Sequence, residues 1–352
     1  MSQTTKKSIS QQQIARDLGV SQSLVSIVLN GRREGIAEKT YDRIWEYAQE
    51  QGYSPKGMKI DALGNHGEAD LHSVGYFLRA PLRLATKSNF FSHVTQGLHD
   101  YLESLQLSTV FLGSELDYEA RALNRNVIWQ ERYLRGIAIM GEVAPEFLQA
   151  VRRLGKPVVY ISARAPGACH SVNSNEFQAA EMLVNHLVEQ GHRHFAFIGG
   201  LCARSRNDER HDAMVQALAA HGLTLRPECR VELDDAERKQ GAEMAEMLLT
   251  RKLRPFPTAW LCVNGLAARG AITKLYQAGI KVGSEISVAA FDMTRVCSEE
   301  EPGLTCAATV PEELGREAGR ILTDEDAISN RRLHDVILPA KLMVRDSTGP
   351  AA

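Results

Sequence analysis

No stretch of the 352 residues approaches the roughly 20 consecutive apolar side chains that a membrane-spanning helix needs, which excludes such a helix. Met1 to Ser10 is polar and lacks the apolar core of an export signal, which predicts a cytoplasmic protein. Cysteine is scattered. Cys169, Cys202, Cys229, Cys262, Cys297 and Cys306 form no C-x-x-C pair, so neither a zinc site nor a disulfide framework is expected. Gly199-Gly200 is not G-x-G-x-x-G, and no phosphate loop carries its Lys-Ser/Thr. No Ser/His/Asp arrangement has local support. His192, His194 and His211 read as surface or loop side chains rather than metal ligands. These absences predict a protein with no catalytic centre, no metal and no cofactor.

The length suits two or three domains. An apolar fraction of 44% with 24% charged residues describes a soluble globular chain. The net charge of −2 conceals an asymmetry. Residues 1–60 hold nine Lys/Arg against six Asp/Glu, while the remainder holds 32 against 37. Only the front of the chain suits a polyanion; the rest would be repelled by one.

That cationic front carries a pattern. Ser10 is placed to cap a helix in which Ile14, Ala15 and Leu18 share one face, and Gly19 ends it. Ser21 is placed to cap a second helix with Val25, Val28 and Leu29 inward. The outward Gln22, Ser23, Ser26 and Asn30 are short hydrogen-bonding side chains of the kind that base edges in a major groove require. Asn30-Gly31 stops the helix. This is helix-turn-helix spacing with the second helix as reader; a plain helical hairpin with a polar face is the alternative. Arg32 and Arg33 follow in a loop, where they would meet phosphates or simply water. A third helix is predicted from about Glu38 to Gln51, with Ile44, Trp45 and Ala48 closing a small core.

The run Ile14-Ala15…Leu18-Gly19-Val20-Ser21…Val25-Ser26…Leu29-Asn30-Gly31 resembles the start of the lactose-repressor (LacI) family of bacterial regulators. Ala48…Gly52-Tyr53-Ser54-Pro55 resembles that family's passage from third helix to hinge. The resemblance implies that Tyr53 lies near the DNA backbone. It also implies that the segment from Pro55 to about His72 is a hinge folding on DNA, with a leucine wedged into the minor groove. Counting from Pro55, the wedge position holds Ala62, so Leu63, one residue late, is the candidate. The candidate DNA contacts are thus Ser10, Ser21, Gln22, Ser23, Ser26, Ile27, Asn30, Arg32, Arg33, Tyr53 and Leu63. Ile27 stands where the family commonly has arginine. An isoleucine touches a thymine methyl but cannot fork onto guanine, so the operator should depart from the family consensus.

From Ser73 the pattern alternates strand and helix, then restarts after Asn173. This predicts an α/β fold of doubly wound parallel sheets. The resemblance implies a periplasmic-binding-protein-like core of two subdomains behind the all-α helix-turn-helix head. The expected domains are 8–55 (head), 56–72 (hinge), 73–172 with about 303–332 (first subdomain), and 173–302 with about 333–352 (second).

Ligands in open α/β sheets bind beyond the carboxyl ends of strands. Arg210 lies in Ser205–Leu218, which resembles the family's S-x-x-R-x-x-G-x-x-A-L pattern with Ala213 in place of glycine. Asn264 follows a predicted strand, in a stretch like A-x-x-x-x-N-D with Gly265 for the acid. Asp292 ends Ile286–Asp292, like I-S-V-x-G-F-D. Ser88-Asn89-Phe90-Phe91 resembles N-P-F-F without its proline, which makes Asn89 and Phe90 candidates from the first subdomain. Arginine, asparagine and aspartate suit a polyhydroxylated ligand. Surface, capping and turn roles are the structural alternatives. The aromatic that sugar-binding relatives place before Gly241 is Ala236 here.

The expectation is a homodimeric repressor on a palindromic double-stranded operator, controlled by a small effector such as a sugar or sugar derivative. The alternative is a sugar- or nucleoside-binding or processing α/β protein with an appended DNA-binding domain. No C-terminal heptads indicate a tetramer.

Overall fold

The computed structural model describes residues 9–29, 35–51, 72–79, 90–117, 134–200, 205–325 and 332–351. The chain divides into two compact units, Met1–Glu68 and Ala69–Ala352.

The first unit is built on helices α1 (Gln11–Leu18), α2 (Gln22–Leu29) and α3 (Glu38–Glu50). Ser10 Oγ accepts the Gln13 N–H at 3.1 Å, and Gly19 closes α1 in the left-handed region at φ +64°. Ser21 Oγ accepts the Leu24 N–H at 3.1 Å at the head of α2. The enclosed core is Ile14, Ala15, Val25, Val28, Tyr41, Ile44 and Ala48. Polar ties from α3 add to it: Arg43 donates to the Leu18 carbonyl, and Tyr47 to Asp17. The Trp45 side chain lies outside what is described, as does the hinge segment through residue 71.

The second unit runs β1 (Ser73–Leu78), α4 (Phe90–Ser104), β2 (Ser108–Ser114), β3 (Leu134–Met140), α5 (Pro145–Arg152), β4 (Val158–Ile161) and β5 (His170–Ser174). It continues with α6 (Glu176–Glu189), β6 (Phe195–Gly200), α7 (Ser205–Ala220), β7 (Arg230–Leu233), α8 (Arg238–Thr250), β8 (Ala259–Cys262), α9 (Gly265–Gln277) and β9 (Ser287–Ala290). The tail adds α10 (Val296–Glu299), β10 (Thr305–Ala308), α11 (Pro311–Thr323), β11 (Asp335–Leu338) and β12 (Lys341–Met343).

Among the described residues the strands form two six-stranded sheets, in the orders β11-β5-β4-β3-β1-β2 and β12-β10-β9-β8-β6-β7. All pairings are parallel except β10 with β12. Each sheet is covered on both faces, as parallel sheets require. In β3, Ala138 and Met140 join the core beneath α4 and α11, while Ile137 and Ile139 join the core under α5. In each sheet the strand order reverses beside the first strand of the lobe, between β1 and β3 and between β6 and β8. Those are the topological switch points where a crevice opens.

The tail differs from the sequence expectation. Thr305–Ala308 pairs with β9 in the second sheet rather than the first, and Asp335–Leu338 pairs with β5 in the first rather than the second. Strand His170–Ser174, unread in the sequence, carries the first sheet past Asn173. Strands of three to five residues have no resolvable period. The polar His-Ser-Val-Asn-Ser has little intrinsic strand preference and is held by burial between β4 and β11.

Glycine lets one helix pair close tightly in each lobe. A Cβ on Gly315 of α11 would stand 1.9 Å from the Val94 carbonyl oxygen, and one on Gly97 of α4 1.9 Å from that of Glu312. In the second lobe Gly270 approaches the Arg238 carbonyl and Gly241 that of Ala267 in the same way. Gly315→Ala is expected to force α4 and α11 apart at a cost of about 1–3 kcal/mol. A lower urea midpoint with unchanged slope would record it.

Candidate ligand cleft and nucleic-acid interface

The helix expected to read DNA is α2. Ser21, Gln22 and Ser23 are exposed, Ser26 is half-buried, and Ile27 is 40% exposed with its apolar side chain open to solvent. Val25 and Val28 face inward. The helix therefore presents hydroxyls, an amide and one branched apolar group, with no cation among its residues. Ser10 and Ser21 each hold an opening N–H of a helix. Asn30, Arg32, Arg33, Tyr53 and Leu63 lie outside the described residues, as does Asn89 of the cleft set.

The cleft forms where the strands of both sheets end. A cavity of about 460 Å³ is walled by Arg79 after β1, Gly141 and Glu142 after β3, and Ser162 after β4. From the second lobe come Arg206 and Arg210 on α7, Asn264 after β8, and Asp292 after β9. Phe90, Phe91 and Phe291 supply apolar wall. Four of the sequence candidates, Phe90, Arg210, Asn264 and Asp292, thus meet in one cavity although the chain separates them by up to two hundred residues.

What they do there is more structural than their chemistry suggested. Arg210 is buried. Its Nε and Nη2 donate to Glu176 at 2.8 and 3.2 Å, and its Nη1 donates to the Val263 carbonyl at 2.5 Å. The fork is committed to the protein. Asn264 caps α9, its Oδ1 accepting the Ala267 N–H at 2.8 Å. Asp292 Oδ2 accepts the Gly265 N–H at 2.8 Å, while Oδ1 accepts those of Met293 and Thr294 at 2.6 and 2.7 Å. A Cβ at Gly265 would approach Asp292 Oδ2 to 2.7 Å, which explains why no side chain follows Asn264. Arg206 lies over the Phe90 ring, 4.5 Å from its centroid.

Sequence reasoning missed Glu176 and Arg206. Glu176 is only 2% exposed and opens α6 directly after the unread strand β5. Arg206 stands one helical turn before Arg210, where like charges on one face repel. The buried Glu176 carboxylate compensates both, with Arg206 Nε donating to it at 2.7 Å. Burial works to raise the Glu176 carboxyl; the guanidinium groups of Arg210 and Arg206 overcome that and lower it to about 2. Arg206 itself is lowered by burial and by Arg210, against the pull of Glu176. The i, i+4 spacing of the two arginines was the available signal. Ala236 is buried in the second lobe's core, and its neighbours Glu237 and Arg238 line the cleft. Arg238 pairs with Glu300.

A two-lobed α/β core with a polar cleft, following a helix-turn-helix unit in the chain, defines a class: ligand-sensing proteins with a DNA-reading module. Residues 184–348 match the family described as periplasmic binding protein-like domain. The chain is 27% identical over 338 residues to the HTH-type transcriptional repressor PurR of Yersinia enterocolitica, covering 95% of each, and 26% identical to PurR of Yersinia pestis over the same length. Its fold matches the transcriptional regulator CelR–cellobiose complex with a TM-score of 0.69 at 22% identity, over 96% of this chain and 99% of that one. It matches the Lac repressor dimer bound to operator and the anti-inducer ONPF with a TM-score of 0.67 at 20% identity, over 97% and 100%. Over nearly its whole length the chain is thus similar to HTH-type transcriptional repressors, and it shares the fold of the Lac repressor.

Proposed function

We propose that the protein is a homodimeric transcriptional repressor acting in the cytoplasm, in which a small polyhydroxylated effector in the cleft controls operator binding. The observation that carries this reading is one chain joining a capped reader helix to a polar cavity at two topological switch points. Relatives give the chemistry its frame: CelR is a complex with cellobiose, a family member from Enterococcus faecium holds ribose, and the Lac repressor dimer sits on its operator. The proposed division is a head over residues 8–55, a hinge over 56–72, and two lobes sharing the tail. Each head reads half of a palindrome through Gln22, Ser23, Ser26, Ile27 and Asn30, with Arg32, Arg33 and Tyr53 at phosphates and Leu63 at the minor groove. Phe90, Arg210, Asn264 and Asp292, with Asn89 beside them, shape the effector site. No turnover is assigned to it.

Effector acts only through unequal affinity for the two arrangements of the dimer. Selection from a random duplex library should enrich a palindrome, with binding that weakens steeply as salt rises. Failure of the full chain to prefer any duplex over random competitor, with or without metabolites, would refute the proposal. Asp292→Asn should keep operator binding and lose the effector response, because one oxygen of the Asp292 carboxylate becomes an amide donor facing backbone N–H groups. A normal response in that variant would remove Asp292 from the site.

A further inference from the structure

Resting on the reading of the cleft as the effector site, we propose that its ligand is a carboxylate-bearing polyol, a uronic or aldonic acid in class. Its carboxylate would be taken by the Arg206 guanidinium and the Ser162 hydroxyl.

Buried polar groups are normally paired, so the exceptions mark where a partner is expected. Among the described residues, Arg206 Nη2 and Ser162 Oγ are buried without a partner, and both line the cavity. They also line a smaller cavity of about 320 Å³, into which Ser174, its Oγ likewise unpartnered, faces. Ser162 is held at φ +60°, a costly conformation for a residue with a Cβ and one that gathers at ligand sites.

The cleft's acceptors are largely taken. Glu176 is bound by Arg206 and Arg210, Asp292 accepts three backbone N–H groups, and Glu300 pairs with Arg238. Donors remain, so the ligand must bring acceptors. A planar guanidinium edge beside a hydroxyl suits a carboxylate.

Charge limits the choice further. Arg206 and Arg210 against Glu176 leave one positive charge at the unpartnered edge. Around it two cations, Arg79 and Arg238, stand against four carboxylates, Glu142, Glu237, Asp292 and Glu300. The single charge at that edge matches a monoanion, and the surrounding carboxylates would repel the second charge of a phosphate dianion. Phe90 is already covered on one face by Arg206, so the usual aromatic platform for a neutral sugar is reduced.

The test uses the full chain and matched probes: glucose, galactose and mannose, with the uronate, aldonate and 6-phosphate of each, at equal ionic strength. Thermal shift selects binders and calorimetric titration measures them. At least one uronate or aldonate should raise the melting temperature and bind ten-fold or more tighter than its neutral parent and its phosphate. Arg206→Gln should weaken that acid at least ten-fold. Ser162→Gly, which suits the positive φ and so folds whatever Arg206→Gln does, should weaken it several-fold. The proposal is overturned if a neutral sugar or a phosphate ester is preferred, if no acid binds, or if both variants bind the acid as the wild type does. Any of these outcomes in a preparation that still selects its duplex leaves the repressor reading standing; loss of duplex preference is that reading's own failure.

Discussion

Glu176→Gln is expected to destabilise the two-lobed core by about 3–5 kcal/mol, the cost of removing one partner from a buried charge cluster. The carboxylate is 2% exposed and answers two guanidinium groups one helical turn apart. With an amide in its place, Arg206 and Arg210 lie one turn apart on one face of α7 without the carboxylate that pairs with both. Urea unfolding of the full chain should show an earlier core transition. The same carboxylate predicts an acid limb. Its pKa falls from 4.5 to about 2 in the folded protein, so its contribution is complete above pH 4.5 and is lost as the pH falls toward 2. That gap is worth about 3 kcal/mol. Between pH 5 and 2.5 the wild type should lose stability more steeply than Glu176→Gln. Parallel curves for the two proteins would show that the cluster does not act as an ion pair.

Ile14→Ala is the second large effect. Ile14 is fully buried in a head whose enclosed core is a handful of side chains from three helices. Small domains bury too little surface to lose much, and truncating a buried isoleucine costs about 2–5 kcal/mol. The expected result is a head that no longer folds and a protein that loses duplex binding altogether. The core transition in urea and the thermal response to effector should stay as in the wild type. A variant that still binds duplex with wild-type affinity would show that the hinge or core, rather than the three-helix unit, carries DNA recognition.

Short-range patterns survive in the sequence because their causes are local. The caps at Ser10 and Ser21 and the stop at Gly19 depend on residues within one turn, so both ends of α1 and the start of α2 were legible to the residue. Long buried strands and amphipathic helices such as α4 and α11 were legible for the same reason. Strand His170–Ser174 was not, since its polar residues become strand only by lying between two others. With it went Glu176, the residue that sets the electrostatics of the cleft. Asn264 and Asp292 were legible as strand-end residues and do line the cavity, but their engagement with backbone N–H groups could be seen only once β8, β9 and α9 were side by side.

By itself the sequence determined a cationic helix-turn-helix head, an acidic α/β body and the positions along the chain from which a cleft would be built. Those follow from spacing, capping and charge, which act over a few residues. Only the tertiary structure decided which strands of the tail join which sheet, that Arg210 is tied to Glu176, and that Arg206 and Ser162 hold the unanswered hydrogen-bonding groups. Pairing and burial between residues far apart in the chain have no local signature, because their energy comes from neighbours that only the fold supplies.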